Sequence, residues 1–315
     1  MKTHVLILSS RAADYARLLS EANLPDVELH TASRVEDAAA WAAQCPVALA
    51  DPPLVRQLLP QLTALRWLQA TFAGVETLTA PGLRRDYVLT NARGVFGELM
   101  AEYVMGYVIM HEKLGWQRFL AQRERRWDTT WPGRLRGKTM GLVGVGSIGA
   151  EIARVAKCFG LRTLGYTRAS EGCPHIDGYY HGDALADMAA AADYLVCSLP
   201  NTPASHHLID GRVLAAMPAH ALFVNVGRGS TVDEAALVDA LQARRIAGAV
   251  LDVFATEPLP ADHPLWQLPN VIITPHVAAS SDKVSGRLLT VAQENLRRYV
   301  AGERLLSVVD AGRGY

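Results

Sequence analysis

Cysteine is scarce in this chain: Cys45, Cys158, Cys173 and Cys197 are the only four among 315 residues, and no two form a CxxC. That excludes a disulfide scaffold, and with no histidine at ligand spacing it gives no metal site, so reduced thiols in a cytoplasmic setting are expected. Charge of one sign is missing as well, with 31 Lys+Arg against 31 Asp+Glu and a formal net charge of zero. Without a broad basic field, neither nucleic acid nor an anionic membrane is an expected partner. Long apolar runs are also lacking. Val5–Leu8 is too short for a signal-peptide core and reads as a first strand. Leu99–Met110 is interrupted by Glu102 and falls short of the ~20 residues that cross a bilayer. What remains is an ordinary globular mixture, 50% hydrophobic and 20% charged. At about 150 residues per domain it predicts two domains, with a core large enough to need no covalent staple.

Two alternations of short β-rich runs and helical stretches follow one another. In the first, strands are expected at Val5–Leu8, Val27–Thr31, Val47–Ala50 and Trp67–Ala70, with helices at Ala12–Ala22, Val35–Ala43 and near Val55–Leu62. Asp51-Pro52-Pro53 reads as an Asx-type turn. The second alternation has strands at Met140–Val143, Thr163–Tyr166, Tyr194–Ser198, Leu222–Val226, Ala247–Val253 and Val271–Thr274. Six strands in that order match a doubly wound dinucleotide-binding sheet. Between the blocks lies a nearly all-apolar helix, roughly Glu98–Leu114, which must be buried between domains or subunits, then a mixed-charge stretch, Gln122–Lys138. A long amphipathic helix, Asp282–Val300, closes the pattern and is expected to return to the first domain. The predicted fold class is α/β. Residues 1–97 with 281–315 form one domain, and residues 98–280 form a nucleotide-binding domain.

Gly144-Val145-Gly146-Ser147-Ile148-Gly149 is a GxGxxG with an apolar strand before it and the helical Ala150-Glu151-Ile152-Ala153 after it. The first glycine makes the tight turn, the second lets backbone approach a pyrophosphate, and the third permits close helix–strand packing. The N–H groups of the helix start, at Ser147 and Ile148, face the anion. At the end of the next strand an NAD site normally carries an acid for the ribose 2′-hydroxyl. Here Thr167 and Arg168 stand in that place, and no acid comes before Glu171. A hydroxyl and a guanidinium suit a 2′-phosphate, which predicts NADP(H) over NAD(H). The alternative reading is that Arg168 is a solvated loop residue and both cofactors bind.

Three further strand ends carry polar residues. Arg228 sits between Gly227 and Gly229, where its fork could clamp a carboxylate and polarise a carbonyl. Asp252 ends the Ala249–Val253 run, with Glu257 shortly after, and His276 follows Val271–Thr274. Singly, each has a structural explanation. Together, a histidine paired with a carboxylate, an oxyanion-holding arginine and a nicotinamide make a set that reduces a 2-keto acid to a 2-hydroxy acid. His206-His207 lacks a carboxylate or cysteine at ligand spacing and reads as loop, and Cys197 reads as core.

With these residues in view, the sequence resembles the D-2-hydroxyacid dehydrogenase family, most closely its glyoxylate/hydroxypyruvate reductase A branch. The segments that carry the resemblance are Phe72–Glu76, the GVGSIG loop, Leu199–Pro203, Asn225–Gly229, Leu251–Pro260, Ile273–Ala279 and the ending Asp310–Tyr315. The resemblance implies two Rossmann-like or flavodoxin-like domains with parallel sheets and an active site in the cleft between them. It implies His276 as acid/base, Glu257 as its partner and Arg228 as substrate clamp. The backbone N–H groups of Ala73 and Gly74 would cradle the substrate carboxylate. Pro200, the main chain at Val226, and Asp252 would lie against the cofactor, the last two holding its carboxamide. It further implies a small 2-keto or 2-hydroxy acid as substrate and a homodimer built on the helix after Glu98. For Gln122–Lys138, with Trp127 and Trp131, a dimer-loop role stands beside that of a solvated loop.

The match has one departure. The branch carries a tryptophan near the substrate in the loop after its third strand, and the corresponding Leu49-Ala50-Asp51-Pro52-Pro53 has no aromatic. A wider or more polar pocket would shift preference toward larger keto acids. Two alternatives stay open: a dehydrogenase of such a larger acid, and a nucleotide-sensing binding protein on the same scaffold, resembling the corepressors. No partner-binding tail is visible to favour the latter. A formate enzyme is disfavoured by Glu257, where that branch carries glutamine.

Overall fold

A computed structural model describes residues 2–21, 24, 26–281, 284–310 and 312. The expected end of the first helix at Ala22, the start of the last at Asp282 and most of the Asp310–Tyr315 ending lie outside the described residues. The chain divides into two compact units, Met1–Phe96 with Ser281–Tyr315, and Gly97–Ser280.

In the first unit, strands β1 (Thr3–Leu8), β2 (Val27–Ala32), β3 (Val47–Ala50), β4 (Trp67–Ala70) and β5 (Val88–Thr90) form one sheet in the order β2-β1-β3-β4-β5. The pairings are parallel, with Thr3 opposite Val27, Val5 opposite Val47 and Val47 opposite Trp67. β3 and β4 are buried along their whole length, which is why their sequences run apolar on both faces instead of alternating. One face packs Val5, Ile7, Leu49 and Trp67 under helices Ala12–Glu21 and Val284–Val300, and the other packs Leu6, Leu8, Ala48 and Leu68. The order reverses between β1 and β3, and there the Asp51 carboxylate accepts hydrogen bonds from Ser9 Oγ at 2.9 Å, Ser10 N at 3.0 Å and Thr71 Oγ1 at 2.6 Å.

Asp51 thus ties strand ends together and makes no Asx turn. Pro52 and Pro53 do not form a loop either: they open helix Pro52–Leu58. Their missing N–H groups cost nothing in a first helical turn, so proline is tolerated there. β5 is a second correction, since the sequence pattern did not show it.

In the second unit, strands β6 (Thr139–Val143), β7 (Arg162–Tyr166), β8 (Gly178–Tyr180), β9 (Tyr194–Cys197), β10 (Leu222–Asn225), β11 (Gly248–Leu251) and β12 (Val271–Ile273) make a parallel sheet. Its order is β12-β11-β10-β9-β6-β7-β8, seven strands where six were expected; the addition is the short edge strand β8. The apolar helix is Gly97–Glu112, and it ends two residues early because Leu114 turns left-handed at φ 54° before a second helix, Gly115–Arg123. Gly97–Glu112 packs along helix Ser147–Cys158, where an added Cβ on Gly97 would come within 3.1 Å of Glu151 Cβ. Among the described residues, no helix is long and apolar enough to cross a membrane.

Candidate active site

The sheet of the second unit reverses order between β6 and β9, and doubly wound sheets bind ligands at the carboxyl ends beside such a reversal. Gly144 follows β6 at φ +99°, a conformation L side chains rarely adopt, and a Cβ there would also press within 2.9 Å of Leu199 Cδ2. A Cβ on Gly149 would stand 2.1 Å from the Gly144 carbonyl oxygen, so the third glycine is what lets helix Ser147–Cys158 close on the turn. Gly146 differs: its missing Cβ would meet nothing within 4 Å. That open space is what an approaching pyrophosphate needs. No side chain caps the N-terminus of this twelve-residue helix, and Ser147 is exposed. Uncapped N–H groups at the positive end of a helix dipole suit a phosphate. These residues therefore fit a dinucleotide.

β7 leads into the segment expected to read the ribose. Thr167 Oγ1 donates to Ser170 O at 2.7 Å, which curls the loop and leaves Arg168 exposed. His181 braces it: Nδ1 lies 2.9 Å from Thr167 O and Nε2 lies 2.8 Å from Glu171 Oε1. Both ring nitrogens face acceptors, and the pair with Glu171 holds the imidazole above its ordinary histidine value. Sequence reasoning did not single out His181. Beyond β9, Ser205 Oγ donates to Pro200 O at 2.6 Å, and Ser198 Oγ donates to Gly144 O at 3.1 Å, which links the two loops at the reversal.

β10, β11 and β12 are neighbours, so the residues that leave their carboxyl ends share one edge of the sheet. Arg228 leaves β10, and its carbonyl accepts from Asn225 Nδ2 at 3.1 Å and Thr231 Oγ1 at 2.6 Å. Its flanking glycines are steric necessities: a Cβ on Gly229 would lie 1.8 Å from Phe254 C, and one on Gly227 2.6 Å from Leu199 O. His276 leaves β12 at φ +55°, and its Nδ1 is 2.8 Å from Glu257 Oε2. The other oxygen of Glu257 accepts from Phe254 N at 3.0 Å, so the carboxylate is aimed by its own turn. Nδ1–H donates to the carboxylate, which fixes the ring and its tautomer. Both side chains are partly open to solvent, 48% for His276 and 36% for Glu257.

Asp252, one residue beyond β11, is buried, and its two oxygens accept from Thr274 Oγ1 at 2.6 Å, Val277 N at 2.9 Å and Ala278 N at 2.9 Å. Three donors compensate a buried carboxylate, and here they hold the turn that carries His276. His276 N completes the clamp by donating to Asp252 O at 2.8 Å. Tyr103 extends the network from helix Gly97–Glu112, with its hydroxyl 2.5 Å from Thr274 Oγ1. Burial pushes that phenol up, so it stays protonated and donates. Tyr103 and Thr274, like His181, are residues the sequence reading missed.

The structure thus brings His276, Glu257 and Asp252 together and places Arg228 and the Val226 backbone at the neighbouring strand end. In the first unit, Ala73 and Gly74 follow β4 and are half-buried. Their segment is pinned through acceptors, with Phe72 O taking Ala92 N at 3.1 Å and Ala73 O taking Asn91 Nδ2 at 2.8 Å.

Residues 106–278 match the family described as D-isomer specific 2-hydroxyacid dehydrogenase, NAD binding domain. A glyoxylate reductase of Korarchaeum cryptofilum is 31% identical over 264 residues, 82% of this chain and 80% of that protein. Among solved structures, a D-isomer specific 2-hydroxyacid dehydrogenase family protein from Aeromonas salmonicida aligns with TM-score 0.92 and 38% identity, over 99% of this chain and all of that one. An NADPH-dependent glyoxylate/hydroxypyruvate reductase from Sinorhizobium meliloti, in complex with NADP and sulfate, aligns over the whole of both chains with TM-score 0.87 and 26% identity.

Proposed function

The chain belongs to the D-isomer specific 2-hydroxyacid dehydrogenase family of NAD(P)-dependent oxidoreductases, and from that premise we propose that it uses NADPH to reduce a small 2-keto acid of the glyoxylate/hydroxypyruvate class. The observation that carries the chemistry is the His276–Glu257 pair, 2.8 Å apart on a turn clamped by Asp252. A bound reduced nicotinamide supplies the hydride. Arg228 binds the substrate's carboxylate and draws charge onto its carbonyl oxygen. The N–H groups of Ala73 and Gly74 take the carboxylate. His276 Nε2 would give its proton to that oxygen, Glu257 would stabilise the imidazolium before transfer, and solvent would restore the proton. On the cofactor side, Gly144, Gly146, Ser147, Ile148 and Gly149 receive the pyrophosphate, Thr167 and Arg168 the 2′-phosphate, and Pro200, Val226 and Asp252 the nicotinamide end.

A spectrophotometric screen of NADPH and NADH oxidation against glyoxylate, hydroxypyruvate, pyruvate and phenylpyruvate tests the reading. Glyoxylate or hydroxypyruvate with NADPH should give the highest kcat/KM. Turnover of phenylpyruvate alone would favour the larger-acid alternative, and no turnover at all would favour a nucleotide-sensing binding protein.

In the same assay, Arg168→Ala should raise KM for NADPH by about tenfold or more, the effect of losing a charge-assisted contact to phosphate, and leave KM for NADH within about twofold. Equal effects on the two cofactors would remove the basis for the NADP preference. The proposed homodimer uses helix Gly97–Glu112 and the stretch after it, where Trp127 and Trp131 are each 92% exposed in the isolated chain. A monomer in sedimentation at micromolar concentration would reject that assembly.

A further inference from the structure

A cluster of ligand-type side chains lies in the first unit, away from the strand ends that carry the proposed chemistry. His4 is the second residue of β1, and Glu28 and His30 are the second and fourth of β2. The parallel register sets His4 opposite Glu28 and Leu6 opposite His30. A strand's side chains alternate between faces, so all three project from one face at the amino end of the sheet. His4 Nδ1 lies 2.9 Å from His30 Nε2, Glu28 Oε1 lies 4.0 Å from His30 Nε2, and the three ligand atoms fall within 4.8 Å of one another.

We propose that His4, Glu28 and His30 bind one borderline divalent transition metal, Zn(II) or Co(II), as a structural clip between β1 and β2. Two imidazoles and a carboxylate are the donor set such ions take, and a tetrahedral ion with Zn–N near 2.0–2.1 Å holds its ligand atoms roughly 3.3 Å apart. Reaching that geometry needs the histidines to part by a few tenths of an ångström and Glu28, partly exposed, to swing inward. The sheet register holds the backbone of all three ligands, and His30 is further fixed by stacking on Trp41 at 3.9 Å between ring centroids, so little order is lost on binding.

His30 is buried, and the neutral imidazole is the form that ligates a metal. The nitrogens that now share a proton at 2.9 Å are the two the ion would take, so on uptake that proton moves to the other nitrogen of its own ring and both imidazoles stay neutral. Lys2 Nζ, 3.7 Å from the far oxygen of Glu28, is an exposed partner that can turn to solvent at little cost. A water completes the fourth position.

The test uses the full-length, untagged protein titrated with Co(II) and followed by visible absorption. One equivalent should bind with the intense band of a four-coordinate site. His4→Ala and Glu28→Gln, both at partly exposed positions, should keep the fold by circular dichroism and keep keto-acid turnover, yet each should weaken Co(II) binding by about 100-fold. Absence of Co(II) uptake by the unaltered protein would overturn the proposal. So would binding that survives either substitution, because the ion would then sit elsewhere, for example at the stacked pair His206 and His207.

Discussion

His276→Ala should lower kcat for keto-acid reduction by about 10³-fold, in the middle of the range for loss of a general acid and equivalent to about 4 kcal/mol of barrier. The substitution removes the proposed proton donor without loosening the frame around it. The turn is held through main-chain groups, with His276 N on Asp252 O and with Val277 N and Ala278 N on the Asp252 carboxylate. None of those bonds uses the imidazole. The Kd for NADPH, measured by quenching of protein fluorescence, should therefore stay within about threefold of the unaltered value, since the phosphate cradle is untouched. Turnover reduced by less than tenfold would show that another group delivers the proton. A parallel collapse of NADPH affinity would show that the turn itself had failed, and Asp252, not His276, would then be the residue to study.

Much of this site is legible in the sequence because a parallel sheet converts chain order into position. Each of Arg228, Asp252 and His276 follows a short apolar run. Once those runs are strands pointing the same way, their ends must share an edge, whatever the separation in sequence. Glu257 follows from the same logic, although the 2.8 Å contact across nineteen residues could not be measured in advance. What stayed hidden depends on neighbours instead of local pattern. β5 and β8 are three-residue strands, too short for any periodicity to register, and they form because an adjacent strand offers them a ladder. The break at Leu114 follows the polar His111-Glu112-Lys113, and with the Gly115 after it these residues were the local hint that the apolar helix stops there. The Tyr103–Thr274 bond joins positions 171 apart, and nothing in an apolar helix marks one tyrosine as the half-buried end of a carboxylate network. The His4–Glu28–His30 cluster is invisible for a related reason. Its spacing matches no ligand motif until the β1–β2 register is known.

Arg228→Lys should cut kcat/KM for the keto acid by on the order of 100-fold, about 2.7 kcal/mol, while the melting temperature and the NADPH Kd barely change. The change keeps the positive charge, so it separates charge from shape. The guanidinium offers parallel N–H donors in a plane that matches a carboxylate, whereas the ammonium is a point charge on a flexible stem. The frame should not respond. Gly227 and Gly229 are confined by Leu199 and Phe254, and the carbonyl of residue 228 is gripped by Asn225 and Thr231, contacts that a lysine backbone makes equally well. The substitution gives up the bond from Arg228 Nη1 to Gly227 O at 2.8 Å, which aims the fork and adds little stability on a partly exposed side chain. A loss confined to KM would mean that the arginine holds substrate and transition state equally, while a loss shared with kcat would place it on the oxygen where charge develops. Activity within threefold of the unaltered enzyme would mean that charge alone suffices and that the bidentate clamp is the wrong picture of this strand end.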